Sequence, residues 1–324
     1  MDVNLRGAKM ASAPLRIIFM GTPDFAATTL AALIDGPDQV VAVVTQPDRA
    51  RGRGKKVTPP PAKILAIEAD IPVLQPTKIK TEEFHNGLLS YQPDLIVVTA
   101  YGRILPQSLL DLAPMGCINV HGSLLPKYRG AAPVQWTVIN GEQEAGVTII
   151  QMDSGMDTGD MLLKASIAVQ PDETAGSLFD KLAELGSKTL LLAIKGLKDG
   201  SITPRLQNHG LATEAPMLKK DDGLIDWQKD AKTIECLIRG LDPWPSAFCF
   251  LGGKRLRLFQ PEVVYQDTES SPGTVLYADK RGMLVSCGNN SLLIHEIQPE
   301  GKKRMSLEAF VCGQKIDPGT VLSS

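Results

Sequence analysis

Residues 15–33, LRIIFMGTPDFAATTLAAL, join a short apolar run to a helical pattern. Gly21 ends the run, and the Thr-Pro-Asp that follows supplies an N-cap, a proline at the first helical position and an early acid. The stretch therefore predicts a buried strand, a tight turn and a helix through Leu33. Because the turn lacks the spaced glycines of G-x-G-x-x-G, it does not predict a dinucleotide-phosphate loop.

The same alternation continues to about residue 197. Further apolar runs have the length of buried strands: 40–45, 94–100, 117–121 and 147–152. Helical patterns accompany them at 61–70, 82–91 and 175–197. Strands buried on both faces that alternate with helices indicate a mostly parallel sheet covered by helices, so we predict an α/β fold.

The pattern changes after a polar stretch punctuated by proline and glycine at 198–220, which is typical of a linker. A helix is predicted at 230–240, followed by strand-like runs at 247–251, 254–260, 273–277, 283–287 and 292–297. Short strands separated by turn residues indicate a small antiparallel barrel, of which the OB-fold is the common nucleic-acid-binding kind. The predicted organisation is a polar extension at 1–14, an α/β domain at 15–197, the linker at 198–220 and the barrel at 221–324.

The composition of the 324-residue chain is that of a soluble globular protein, with 43% hydrophobic and 22% charged residues. The net charge of −2 gives no overall attraction to nucleic acid or membrane, so any nucleic-acid contact must come from local patches. The chain has five cysteines and no C-x-x-C pair, which favours reduced thiols and a cytoplasmic location. No stretch approaches the roughly 20 apolar residues of a spanning helix, so we expect no membrane partner.

A basic stretch at 46–56, QPDRARGRGKK, follows one of the predicted strands. Its cations are Arg49, Arg51, Arg53, Lys55 and Lys56. The interleaved glycines make the loop adaptable, so its backbone can become ordered when a polyanion binds. The loop contains no aromatic residue, which favours a phosphate-backbone clamp over a base reader. A simple solvated loop remains the alternative.

Two polar residues, Asn119 and His121, stand at the end of an apolar strand. They are two positions apart and therefore point to the same side. Asp157 lies after the next predicted strand, between Gly155 and Gly159, where its carboxylate can orient the imidazole and favour its charged form. With no serine or cysteine nucleophile, the set suits stabilisation of an oxyanion formed by an external nucleophile. The alternative is a structural histidine beside an asparagine turn.

The segment NVHGSLLPKYRGAAP at 119–133, followed by MDSGMDTGD at 152–160, resembles the folate-dependent formyltransferase family. That family's pattern is Asn-x-His-x-Ser-Leu-Leu-Pro with a downstream Asp-Thr-Gly. The resemblance extends over nearly the whole chain, through RIIFMGTPDFA, TQPDRARGRGKK, AYGRILP and DWQKDAKTIECLIRGLDPWP. It implies a Rossmann-like catalytic domain followed by an OB-type domain, 10-formyltetrahydrofolate as the formyl donor, and no metal.

The resemblance also implies roles for particular residues. The family's catalytic set corresponds to Asn119, His121 and Asp157. Its folate-contacting segment corresponds to Ser123, Leu124, Leu125 and Pro126. Arg53 corresponds to the functional arginine of a loop that enters tRNA, and the neighbouring cations are expected to bind tRNA with it: Arg49, Arg51, Lys55 and Lys56.

Within that family, the basic loop and the DPWP corner most resemble members that formylate the α-amino group of initiator methionyl-tRNA. The expected partners are the acceptor stem of that tRNA and the folate, and the expected state is a monomer. The barrel would bind tRNA, with candidate patches at 254–257 and 302–304. Two alternatives remain: a formyltransferase acting on an amino sugar or a purine precursor, and a catalytically silent RNA-binding protein that uses the barrel alone.

Overall fold

The computed structural model describes residues 13–51, 56–266 and 268–324. The chain forms two compact units that are interleaved in sequence. The first contains the described residues up to Leu125 together with Val147–Ala165 and Ala183–Gly210. The second contains Pro126–Gly146, Ser166–Leu182 and Leu211–Ser324.

The described residues form strands and helices with the following bounds. The strands are β1 Arg16–Gly21, β2 Gln39–Val44, β3 Arg49–Arg51, β4 Lys56–Thr58, β5 Val73–Leu74, β6 Leu95–Thr99, β7 Cys117–His121, β8 Arg129–Gly130, β9 Glu144–Gln151, β10 Met161–Ala168, β11 Glu214–Ala215, β12 Phe248–Leu251, β13 Lys254–Val264, β14 Val275–Asp279, β15 Gly282–Ser286, β16 Ser291–Pro299 and β17 Met305–Ser306. The helices are α1 Asp24–Ile34, α2 Pro61–Glu68, α3 Glu82–Leu89, α4 Gln107–Leu110, α5 Pro133–Ile139, α6 Ala175–Asp199, α7 Ala231–Gly240 and α8 Leu307–Val311.

A seven-stranded sheet has the order β10-β9-β7-β6-β1-β2-β5. Strand β1 pairs in parallel with β2 and β6, β2 with β5, and β6 with β7. The predicted α/β fold with a mostly parallel sheet is thus confirmed. Strand β9 runs antiparallel to β7, with Ile118 opposite Gln151 and His121 opposite Thr148.

Helices cover both faces of this sheet. On one face, Ile18, Ile96 and Cys117 share a core with Leu88 of α3 and Leu109 of α4. On the opposite face α6 packs so closely that a Cβ at Gly186 would lie 2.9 Å from Val120 Cγ1, which explains the glycine there. Neither α6 nor any other helix in the described ranges is long and apolar enough to cross a membrane.

The turn after β1 differs in one detail from its prediction. Helix α1 begins at Asp24, and Pro23 rather than Thr22 occupies the N-cap position. The Thr22 hydroxyl instead accepts a hydrogen bond of 3.2 Å from the backbone N–H of Gln46. Thr22 therefore joins the ends of two neighbouring strands, and this tertiary contact replaces the local cap.

The C-terminal part of the chain forms an antiparallel sheet in the order β12-β13-β16-β15-β14, with β17 paired to β16. This sheet confirms the predicted small antiparallel β domain. Gly252 and Gly253, both with positive φ, make the hairpin between β12 and β13. The sheet curls because the C-terminal residues join its two edges: Ser323 bridges to Phe250 beside β12, and Val321 bridges to Thr274 beside β14. The enclosed core includes Trp227, Leu258 and Ile294.

The cysteines predict a simple chemical test. Four thiols are buried, at Cys117, Cys236, Cys249 and Cys287, whereas Cys312 is exposed. Burial raises the pKa of the Cys117 and Cys287 thiols to about 12, so neither forms the reactive thiolate near neutral pH. We expect an aromatic disulfide reagent to modify Cys312 rapidly in the folded protein and the other four only in denaturant. Rapid modification of a second thiol, located by peptide mapping, would contradict this burial.

Candidate active site

The end of β7 carries the polar residues singled out from the sequence. His121 is only 5% exposed, and its Nδ1 lies 3.5 Å from Oδ1 of Asp157. Asn119 lies two residues earlier on the same face, and none of the described residues hydrogen-bonds its side-chain amide. Among the described residues, no group of three or more His, Cys, Asp or Glu side chains is placed to hold a metal ion. The arrangement offers an amide donor beside an imidazole that is paired with a carboxylate.

The path of the chain to Asp157 is not the one that a parallel strand would give. Because β9 is antiparallel to β7, Gln151 at its end lies opposite Ile118 near the beginning of β7. Residues 152–160 then return along the sheet, so that the Asp157 carboxylate reaches His121 near the other end. The sequence predicts Asp157 in the loop after this strand and near His121, and the structure has both features, with the loop returning from the far end of the strand.

The loop itself has a constrained backbone. Asp153 Oδ1 accepts a hydrogen bond of 2.6 Å from the Thr158 hydroxyl. Asp157 has a φ of 53°, in the left-handed region that Asp tolerates better than most residues. A Cβ at Gly159 would lie 1.8 Å from the carbonyl oxygen of Gln151, so glycine is required at that position. The carboxylate is thus presented by a tight, specific turn.

Gln207 holds this loop from outside, and the sequence had given no sign of it. Its Nε2 donates hydrogen bonds of 2.8 Å to the carbonyl oxygens of Asp157 and Gly159. The residue is 4% exposed, although it lies in the polar segment that predicts a linker. No periodicity or motif distinguishes a single buried glutamine in such a segment.

The corner formed by residues 123–126 is fixed mainly through its backbone. The Thr148 hydroxyl donates to the Ser123 carbonyl at 2.7 Å and accepts from the Leu125 N–H at 3.1 Å. The Lys164 ammonium donates to the Leu125 carbonyl, and desolvation lowers the pKa of this lysine. The Leu125 side chain is fully buried and belongs to the core, whereas Leu124 and Pro126 are partly exposed.

A buried hydroxyl stands on the same face of the sheet as Asn119. Tyr101 follows β6 and packs in the same core cluster as Cys117 and Val98, and Val98 lies opposite Asn119. Its hydroxyl is buried and has no hydrogen-bond partner in the part of the chain that the structure describes. A buried hydroxyl without a partner is unfavourable, so this position favours a ligand or water that completes the bond. Burial also raises the pKa of Tyr101.

The basic loop is only partly described. Strands β3 and β4 form a short antiparallel hairpin in which Arg49, an exposed residue, lies opposite Thr58. Arg53 and Lys55 lie outside the described residues, and for Arg51 and Lys56 only the backbone is described.

The base of this hairpin is held by a polar cluster. Lys63 Nζ lies 2.8 and 2.9 Å from the two carboxylate oxygens of Asp48. Gln75 Nε2 donates to Asp48 Oδ1 at 2.8 Å and to the Gln46 carbonyl at 2.9 Å. The hydrogen bond from Lys63 lowers the pKa of Asp48 most, and the hydrogen bond from Gln75 lowers it further. The loop therefore starts from a fixed position beside the end of β2.

The candidate cationic patches in the antiparallel sheet are not equally available. Arg304 contacts the carboxylates of Asp242 and Glu296 and stacks 4.0 Å from the Phe259 ring centre. Its charge is therefore already balanced. The Arg255 guanidinium lies over the Phe248 ring at 3.9 Å and has no carboxylate partner among the described residues. The 254–257 patch is thus the better candidate for an anion.

Comparison with known proteins identifies the family of this chain. Residues 15–194 match the family described as Formyl transferase, and residues 217–315 match its C-terminal domain. The chain is 68% identical over 310 residues to the methionyl-tRNA formyltransferase of Desulfotalea psychrophila, covering 96% of each protein. The chain therefore belongs to the formyl transferase family, and it is an enzyme that transfers a formyl group.

Solved structures with low sequence identity share the fold. The N-formyltransferase of Helicobacter canadensis, crystallised with folinic acid and dTDP-3-aminofucose, has a TM-score of 0.65 at 15% identity, with 90% of this chain and 100% of that chain covered. HypX of Aquifex aeolicus in complex with tetrahydrofolic acid has a TM-score of 0.61 at 18% identity, with 94% of this chain covered. This chain spans about half of HypX, 49% of that protein's length.

Proposed function

We propose that the protein transfers the formyl group of 10-formyltetrahydrofolate to the α-amino group of initiator methionyl-tRNA, producing N-formylmethionyl-tRNA. The observation that carries this proposal is the His121–Asp157 pair beside Asn119. It occurs in a chain that is 68% identical to a protein named methionyl-tRNA formyltransferase. The folate nature of the donor is supported by proteins of similar fold that were solved with tetrahydrofolic or folinic acid.

Asn119 and His121 act on the oxygen of the formyl group. When the neutral α-amine attacks the formyl carbon, negative charge develops on that oxygen. The Asn119 amide N–H and the protonated imidazole of His121 both donate hydrogen bonds to it. Both side chains are held on a strand that is paired on either side, so little reorganisation is needed as the charge appears.

Asp157 acts through the imidazole. Its carboxylate, 3.5 Å from Nδ1, stabilises the imidazolium and orients the ring so that Nε2–H donates to the formyl oxygen. As the bond between the formyl carbon and N10 of the folate breaks, N10 receives a proton from His121 or from water. The attacking amine releases a proton to solvent, which completes the exchange.

The segment Ser123, Leu124, Leu125 and Pro126 is proposed to contact the folate. Thr148 and Lys164 hold the peptide groups of Ser123 and Leu125, so the segment presents a preformed surface. The buried side chain of Leu125 then contributes to the support of this surface, and Leu124 and Pro126 contribute to the contact itself. The buried Tyr101 hydroxyl is a polar group that bound substrate or water would satisfy.

The tRNA is proposed to bind through the basic loop and the C-terminal part of the chain. In this division, 15–197 is the catalytic domain, 198–220 the linker and 221–324 the tRNA-binding domain, consistent with family matches at 15–194 and 217–315. The acceptor stem is the part of the tRNA that carries the reacting amine. The protein acts as a cytoplasmic monomer without a membrane partner.

The direct test is formyl transfer from 10-formyltetrahydrofolate to several acceptors. Initiator methionyl-tRNA is compared with elongator methionyl-tRNA, and uncharged tRNA is the blank. An amino-sugar nucleotide and a purine precursor with a free amine are the competing acceptors. Preferential formylation of initiator methionyl-tRNA supports the proposal. Efficient transfer to either small acceptor, or binding of tRNA without transfer, would overturn it.

Arg53→Lys tests the proposed role of the basic loop. The planar guanidinium binds two phosphate oxygens at once, and the lysine ammonium does not reproduce that geometry although it keeps the charge. We expect slower formylation of methionyl-tRNA, with binding of the formyl-folate nearly unchanged. Removing Lys55 or Lys56 should instead reduce the salt dependence of tRNA binding by about one released counterion each. If Arg53→Lys formylates methionyl-tRNA at the wild-type rate at every salt concentration, the loop is only a solvated connection and does not bind tRNA through Arg53.

A further inference from the structure

Gln207 connects the segment after α6 to the loop that carries Asp157. Its buried amide nitrogen donates to two carbonyl oxygens of that loop, those of Asp157 and Gly159. We propose that Gln207 is a positioning residue for formyl transfer, which holds the Asp157 carboxylate at the distance at which it supports His121. This role rests on the proposed function of the Asn119–His121–Asp157 set.

Gln207 is itself held in place by the chain that precedes it. Two residues earlier, Arg205 exchanges a pair of backbone hydrogen bonds with Met161 at the start of β10, with lengths of 2.8 and 2.9 Å. The segment is thus attached to the sheet immediately before it reaches the loop. Because Gln207 is 4% exposed, its amide has little freedom to choose other partners. Gln207 therefore holds the Asp157 loop in a fixed position relative to the sheet.

The loop needs this restraint for a physical reason. Asp157 has a left-handed backbone, which is less favourable for a residue with a side chain than for glycine. Asp153 Oδ1 accepts hydrogen bonds from the Gly155 N–H and the Thr158 hydroxyl, both within the loop, so these bonds close the turn without attaching it to another segment. Gln207 supplies such an attachment at the backbone of Asp157 itself.

The geometry of the pair makes the reaction sensitive to small displacements. The separation of 3.5 Å between Asp157 Oδ1 and His121 Nδ1 lies at the outer limit of a hydrogen bond. A further shift of the loop would weaken both the charge interaction and the orientation of the imidazole. Misplacement of a catalytic group by about 1 Å is able to reduce a rate by about 100-fold. The effect should therefore fall on turnover rather than on substrate binding.

Gln207→Met removes the amide and keeps an unbranched side chain of similar length. We expect kcat for initiator methionyl-tRNA to fall about 10- to 100-fold, with the KM values for the formyl-folate and the tRNA within about twofold of wild type. The matched control is Arg16→Met. Arg16 also donates side-chain hydrogen bonds to backbone carbonyls in the same unit, those of Tyr91 and Gln92, and it lies at the beginning of β1, away from the Asp157 loop. We expect this control to lower the melting temperature by a similar amount and to keep kcat.

A double variant distinguishes positioning from a general structural effect. If Gln207 acts through the carboxylate, Gln207→Met in an Asp157→Asn background should cause little further loss of kcat. Gln207→Glu provides a pH readout, because its carboxylate repels the two carbonyls and regains one O–H donor when protonated. We expect the kcat of Gln207→Glu relative to that of Gln207→Met to rise as the pH falls.

The outcomes separate this inference from the proposed function. Normal turnover of Gln207→Met, multiplicative losses in the double variant, or an equal loss of kcat in Arg16→Met would each overturn the positioning role while wild type still formylates methionyl-tRNA. Failure of the wild-type protein to formylate methionyl-tRNA in the same assay would overturn the proposed function instead.

Discussion

His121→Ala and Asn119→Ala are each expected to lower kcat for formyl transfer by about 10²–10³-fold, the usual effect of losing one oxyanion donor. Both side chains lie on one face of β7, and the Asn119 amide has no hydrogen-bond partner among the described residues. Their interaction with the formyl oxygen strengthens as negative charge develops there. The loss should therefore appear in kcat, with tRNA affinity almost unchanged.

His85→Ala is a suitable control for these variants. His85 lies on α3 and contacts the Ser108 carbonyl at 3.2 Å, away from the residues proposed to react. Turnover is measured at saturating folate and tRNA, and tRNA affinity is measured separately. If His121→Ala or Asn119→Ala weakens tRNA binding and leaves turnover intact, the oxyanion role is wrong and the pair belongs to the tRNA surface.

The second large effect is expected for stability, from a buried ion pair in the second unit. Arg239 of α7 is 6% exposed and Glu235 is 5% exposed. The guanidinium donates to the carboxylate through Nε at 2.5 Å and through Nη2 at 3.1 Å, and Nη1 donates to the Glu173 carbonyl at 2.7 Å. Burial raises the pKa of Glu235, but the hydrogen bonds from Arg239 and Lys232 outweigh it, so the pKa lies below its ordinary value.

Arg239→Ala leaves the buried Glu235 carboxylate without its main partner. We expect the free energy of unfolding to fall by about 3–5 kcal/mol, measured by denaturant titration near pH 7. Because the folded-state pKa of Glu235 is lowered, the contribution of the pair is present above the unfolded-state pKa of glutamate, about 4.3. It should disappear as the pH falls through the folded-state value.

Two further variants make this prediction specific. Arg281→Ala removes an exposed arginine that pairs with Asp279, and it should change stability little because solvent screens that pair. Replacing both Glu235 and Arg239 by methionine should recover part of the loss, because no unpaired charge remains buried. If Arg239→Ala is no more destabilising than Arg281→Ala, the carboxylate is solvated and the pair is not buried in solution.

Strand and helix positions in the α/β part followed closely from apolar runs and their punctuation. The run ending at Gly21 is β1, the run at 40–45 overlaps β2 except for its first residue, and the run at 117–121 is β7. Burial on both faces makes such strands recognisable without any tertiary knowledge. The short pair β8 and β11 escaped prediction because each strand has only two residues and exists through its pairing.

In the site, too, some features follow from the local sequence and others only from the tertiary structure. The sequence by itself determined that Asn119 and His121 share one side of a strand, since side chains alternate along any strand whatever its neighbours. It also determined that Asp157 lies in a turn between glycines. Only the tertiary structure decided that β9 runs antiparallel to β7 and that its loop returns to His121. A buried apolar run looks the same in either direction, because its residues face core on both sides. The restraint by Gln207, 50 residues from Asp157 in sequence, likewise depends on long-range folding that no local pattern encodes.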